Sequence, residues 1–307
     1  MDLPSEDTLH FLVTKYAHMR ANYGELLSAL PLLEPTGEFF PDEFERTAEG
    51  VDTLLRRVAS YSPLSSDLPL EVVFNEPEGE SAGGGCGTGG CSTKGDIKAV
   101  ARGSVLETPD GYAVVVDVRD VGDSDLLVAS LSRSVAMTVL AEAEEDMTAD
   151  EAPVFAEILA VAMGHGVLLT QAACVYKKGC GGMKMHQGTH LGVAEHAALL
   201  ALHLRVTGTA VRATKGHLPI TQREAFEAAL AWVDSNQPIV DRLREAPELL
   251  AAGAFSFEKT KGFFGRLFGK KSSDEVRITP KAKAQRSEAE LRRLAEAKAL
   301  VEEALAD

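Results

Sequence analysis

Two long stretches of this chain are nearly devoid of charge, and each carries a single charged residue. Between Leu126 and Ala141 that residue is Arg133, and between Pro153 and Tyr176 it is Glu157. Both stretches are apolar over helical lengths, so both belong in an interior. A lone charge on such a helix is costly unless an opposite charge and hydrogen bonds compensate it. The pattern therefore predicts that Arg133 and Glu157 meet as a buried or half-buried ion pair. The segment Ile158 to Tyr176 also needs a membrane reading, since it contains no Asp, Glu, Lys or Arg. Gly164, Gly166, His165 and Gln171 make it a poor spanning segment, and a buried core helix is expected.

With 307 residues, 45% of them hydrophobic and 25% charged, the chain can bury a full core as one large domain or two modest ones. Its formal charge of -15 argues against a nucleic-acid surface, which needs clustered Lys and Arg. The first residues, MDLPSEDTLHF, lack the basic and apolar regions of a secretory signal. A cytoplasmic location is the expectation, and there cysteines serve as thiols or metal ligands rather than as disulfides.

Apolar positions recur at helical spacing over Glu6 to Tyr23 and Asp42 to Tyr61, giving an N-terminal helical layer over 1–66. Leu68 to Phe74 is a predicted strand. Ala99 to Thr108 and Tyr112 to Val118 flank a Pro-Asp-Gly turn and predict a hairpin, whose second strand is apolar enough to be interior. Helices are predicted from Ser124 to Ala143, Ala149 to Tyr176, Val193 to Thr207, Thr221 to Asn236 and Pro238 to Ala252. The second is expected to break at Gly164-His165-Gly166. Gly192 is a candidate cap for the third, with Glu195 covering a backbone amide. The fold class is α+β, mainly α: a small sheet leads into a five-helix core spanning 67–253. A glycine-rich loop at 78–95 interrupts that core, a basic and aromatic linker follows at 254–286, and 287–307 is predicted as a terminal helix.

The segment LVASLSRSVAMTVL, Leu127 to Leu140, resembles the active-site helix of bacterial HExxH zincin-like proteins of mostly unknown function, which read LVATLAHELGHVLL there. In a zincin, two histidines four residues apart hold zinc on one helical face, and the glutamate beside the first activates water. The corresponding positions here are Arg133, Ser134 and Met137. DEAPVFAEILAVAMGHGVLL resembles the next helix of such proteins, where Glu157 falls at the position of an acidic third ligand. The likeness runs from about Ala113 to Leu230. It implies a zincin-like core whose metal motif has been lost, because a guanidinium cannot ligate zinc at neutral pH.

Cys86 and Cys91 lie within glycine-rich sequence, and Cys174 and Cys180 form a second pair beside Gly179, Gly181 and Gly182. Glycines allow a chain to fold tightly around a tetrahedral ion. The four thiolates are therefore a candidate structural zinc site, set against a buried core Cys174 and an exposed loop. Met183, Met185, His186 and His190 suit copper(I) or zinc by ligand type, although such residues in a loop are commonly incidental. His165 is expected as a hydrogen-bonded core histidine, and His196 and His203 in ordinary packing or surface roles. Gly85 to Gly90 matches GxGxxG, yet no strand leads into it and no helix leaves it.

Residues 259–271 contain five basic and no acidic side chains, so the rest of the chain carries -15 minus 5, or -20. Phe263, Phe264, Arg266, Leu267 and Phe268 would form an aromatic and basic element, suited to docking on a protein partner or on the chain's own acidic body. Contact with a membrane surface is the weaker alternative. The overall expectation is a non-catalytic binding or scaffold protein on a degenerate zincin-like fold. The alternative is a metal-dependent enzyme or metal-handling protein that uses the Cys/Met/His loops.

Overall fold

The strand Tyr112–Asp117 (YAVVVD) is buried along its whole length, as its unbroken apolar run requires. The computed structural model containing it describes residues 3–75, 104–179 and 182–258, with backbone alone for 177–179 and 182–184. The glycine-rich loop with Cys86 and Cys91, Cys180, the aromatic and basic segment and the terminal helix all lie outside the described residues.

In chain order the sheet comprises β1 (Leu70–Asn75), β2 (Val105–Glu107) and β3 (Tyr112–Asp117). β3 is central, parallel to β1 from Leu70 opposite Tyr112 to Asn75 opposite Asp117, and antiparallel to β2. The β2–β3 hairpin turns where expected. A Cβ on Gly111 would come within 2.3 Å of the Pro69 carbonyl oxygen, so the turn can pass beside the start of β1 only as glycine.

Helices dominate the rest, and the fold is α+β, mainly α. α1 (Glu6–Ser28) starts at Ser5, whose hydroxyl accepts the Thr8 amide, and α2 (Ala48–Ala59) starts at Thr47, which accepts the Gly50 amide; each satisfies one unpaired first-turn N–H. α3 (Ser124–Glu142) is capped by Asp123 and carries Arg133. α4 (Ala152–Ala160) carries Glu157 and is joined to α5 (Gly166–Ala172) through Val161–His165, which is kinked at Gly164, where φ and ψ leave the helical region. α6 (Val193–Thr207) ends at Gly208 in the left-handed conformation, a common helix stop. α7 (Val211–His217), α8 (Ile220–Ser235), α9 (Gln237–Glu245) and α10 (Pro247–Ala251) complete the body.

α6 occupies the interior and packs against α1, α5, α8 and α9. Its last carbonyls, at Arg205 and Val206, accept from the Arg244 guanidinium on α9. The C-terminal end of α5 is covered in a similar way: the buried Gln222 amide donates to the carbonyls of Gln171 and Cys174, at 3.1 and 2.7 Å. Helix ends inside a body need such partners. Leu12, Tyr16 and Met19 of α1 are fully buried, and α1 contacts α4, α6 and α10, so the first helix contributes to the same core as the later ones. Among the described residues, those up to Gly253 belong to one compact unit together with Phe257 and Glu258.

The structure departs from the sequence expectations in several places. The helix predicted from Pro238 to Ala252 is two, α9 and α10, divided at Ala246, whose φ and ψ are not helical and which precedes Pro247. The second long helix stops at Ala172 rather than Tyr176, and the stretch treated as a Met/His loop is instead an antiparallel hairpin, β4 (Val175–Gly179) with β5 (Gly182–His186). α7 was not anticipated. Gly192 does cap α6, but among the described residues Glu195 makes no hydrogen bond to its amide; the carboxylate lies over the Gly192 Cα instead. Two segments, Ser124–Glu142 and Ala152–Ala172, are long and apolar enough to cross a membrane, and in this fold they are 72% and 83% buried.

Candidate functional site

α3 and α4 cross so that their two isolated charges face each other. Arg133 Nη1 lies 3.1 Å from Glu157 Oε1, with both side chains buried, and the same nitrogen donates to the Gly188 carbonyl at 3.2 Å. Glu157 has further partners. Oε1 accepts the His190 amide at 2.7 Å, Oε2 accepts the Leu191 amide at 2.8 Å, and the His196 imidazole Nε2 sits 3.2 Å from Oε2. Each carboxylate oxygen therefore receives two donors, which uses the roughly four lone-pair positions an ionised carboxylate offers.

The electrostatics follow from this geometry. Burial alone would raise the Glu157 pKa, but the interaction with His196, the Arg133 charge and the Leu191 amide outweigh it and hold the carboxyl at about 2. Desolvation pushes the nearby His190 imidazole below its ordinary range, with the Arg133 charge acting the same way. Chemically, the site contains a permanent anion with no lone pair turned toward an open space. Such a group cannot accept a proton from water or complete a metal shell without first losing a partner.

The other positions of the HExxH resemblance are less concentrated. Ser134 is buried on α3, and its hydroxyl has no partner among the described residues. Met137 is partly exposed and lines a surface pocket with Leu140, Glu144 and Met147. Of the candidate zinc ligands only Cys174 is described; it is buried at the α5 end. Met185 is exposed on β5. Among the described residues no three His, Cys, Asp or Glu side chains converge as a metal shell. Two contributors were not anticipated: His196, read as packing or surface, and the pair of backbone amides at His190 and Leu191. The only advance signal for His196 was its place in the first turn of a helix directly after a glycine cap.

A second buried polar group lies at the kink between α4 and α5. Gly164 there has φ +94°, and its carbonyl accepts the Leu33 amide at 2.9 Å. His165, fully buried, donates from Nε2 to the Tyr61 carbonyl at 3.3 Å. The Tyr16 hydroxyl and His203 Nδ1 are 3.0 Å apart. Desolvation drives both imidazoles down to about 4 from 6.5, and the neighbouring Arg20 charge adds to the effect at His203. The histidines are thus neutral in the folded protein and take up protons on unfolding between those values. In that window the unfolded chain binds more protons, so stability falls with falling pH, by about 1.4 kcal/mol per unit for each group. Below 4.5 the depressed Glu157 carboxyl adds a loss in the same direction as pH approaches about 2. Urea midpoints measured at about pH 7.5 and about pH 5 should therefore differ clearly; equal midpoints would mean that the imidazoles are already charged in the fold.

No family model, curated protein or solved structure matches this chain.

Proposed function

We propose that this chain is a non-catalytic binding or scaffold protein on a degenerate zincin-like core, with its interaction element in the C-terminal aromatic and basic segment. The reading rests on the saturation of Glu157. A hydrolytic carboxylate or metal ligand has to keep a lone pair for water or an ion, whereas all those of Glu157 are occupied by Arg133, His196 and two backbone amides. Where a zincin would hold its ion, this protein would hold a guanidinium. These residues do not fit a catalytic metal, and no hydrolytic step is assigned to them.

A structural zinc held by Cys86, Cys91, Cys174 and Cys180 is part of the proposal. It would tie the glycine-rich loop to the helical body without contributing chemistry. The test is elemental analysis of the purified full-length chain and of two variants, Cys174→Ser and Glu157→Gln. The expected result is zinc that is lost in the cysteine variant, retained in the Glu157 variant, and without effect on any hydrolytic activity when removed by chelator. Zinc that disappears with Glu157, or an activity that disappears with zinc, would overturn the reading in favour of a metal-dependent enzyme.

A further inference from the structure

An open groove of about 300 Å³ lies between α1, the start of α4 and the start of α6. Phe11, Phe155 and Leu191 form its apolar wall, and Asp150, Glu151 and Glu195 add three carboxylates, with the Lys15 ammonium close enough to act on Glu151. Phe11 is 39% exposed, an apolar surface at the mouth of the groove. The aromatic walls already attract a cation: Lys15 Nζ stands 4.3 Å from the Phe155 ring centroid and 5.9 Å from that of Phe11. A ligand for this groove therefore combines large apolar side chains with positive charge.

The chain carries such a sequence, and the described residues end against α1, the helix whose other face lines the groove. Phe257 packs edge-on against Trp232, at 5.3 Å between centroids, and against His10, at 6.2 Å. Glu258 is fixed by its amide to Asn236 Oδ1 at 2.8 Å. His10 immediately precedes Phe11 on α1, so the path onward rounds a single helix of roughly 10–12 Å diameter. At about 3.3–3.6 Å per extended residue, the six steps from Glu258 to Phe264 span about 20–22 Å, enough to pass round the outside of that helix and bring Phe264 to the apolar wall.

We propose that residues 259–271 fold back as the built-in occupant of this groove, with the phenylalanines against Phe11 and Phe155 and the basic residues toward Asp150, Glu151 and Glu195. An external acidic partner would then have to displace the segment from its own body. The inference rests on the function proposed above only in taking 259–271 as a binding element.

The test uses the full chain with benzoylphenylalanine at position 264, irradiated when dilute and mapped by mass spectrometry. The expected product is an intramolecular cross-link to peptides containing Phe11 or Phe155. Its yield should fall by about fivefold or more in an Asp150→Lys/Glu195→Lys variant and at high salt, which screens exposed charge. An Asp150→Asn/Glu195→Gln variant, milder for folding and checked by circular dichroism, should show a smaller loss in the same direction. Cross-links between two copies, to other surfaces of the chain, or to none at all would overturn the proposal. The same would follow from a yield indifferent to both charge variants. None of these outcomes affects the zinc and activity measurements that test the proposed function.

Discussion

Glu157→Ala is expected to lower the unfolding free energy by about 3–5 kcal/mol, the usual consequence of removing one partner from a buried ion pair. The loss has two sources that a double-mutant cycle separates. Arg133 would lose the carboxylate that compensates its charge in the interior, and the His190 and Leu191 amides would lose their acceptor. Replacing Arg133 as well, in Arg133→Met/Glu157→Ala, should recover the part due to the guanidinium's lost carboxylate. It should not recover the part due to the amides, whose hydrogen bonds to Glu157 are part-buried and contribute about 1 kcal/mol each. Urea denaturation of the two single variants and the double variant would measure both terms. If the double variant were as stable as the parent, the amides would contribute nothing and Glu157 would serve Arg133 alone.

Gly164→Ala is the second large effect. A Cβ at this residue would lie 2.1 Å from the Pro31 carbonyl oxygen and 3.0 Å from its carbonyl carbon, on a backbone with φ +94°. The neighbouring atoms are main chain and cannot rotate aside, so relief requires the link between α1 and α2 to move away from the helix. Strain and displacement together are expected to cost about 3 kcal/mol or more, or on the order of 10 °C in melting temperature for a domain of this size. Gly166→Ala provides the control. Its Cβ would meet side-chain tips, Leu200 Cδ1 at 3.0 Å and Val161 Cγ1 at 3.2 Å, which can shift by a few tenths of an ångström. Equal melting losses for the two variants would count against backbone geometry as the cause.

Arg133 and Glu157 were legible from sequence because each was alone on an apolar helix, and a buried charge narrows its possible surroundings to very few. β3 was legible for a related reason, as six consecutive apolar or capping residues leave no face for water. The helix break at Gly164 was also foreseen from its glycines, although the conformation that results depends on Pro31, which is remote in sequence. The parallel pairing of β1 with β3 left no local signal, since partner choice in a sheet is decided by what surrounds it. The β4–β5 hairpin was missed because its lysines, methionines and histidine suggested ligands more readily than alternation. His196 was missed because one imidazole on a leucine-rich helix looks the same in sequence whether it fills space or holds an anion.

The kink at Gly164 separates α4 from α5 as carriers of side chains. Its φ of +94° is not helical, so the step of about 100° per residue that places side chains along α4 stops there. Which face Gly166 and its followers present cannot be counted forward from Glu157; it is set by what α5 itself packs against, α3 and α6. The carboxylate that pairs with Arg133 and the residues at the end of α5 are thus positioned by two independent helices rather than by one rigid rod.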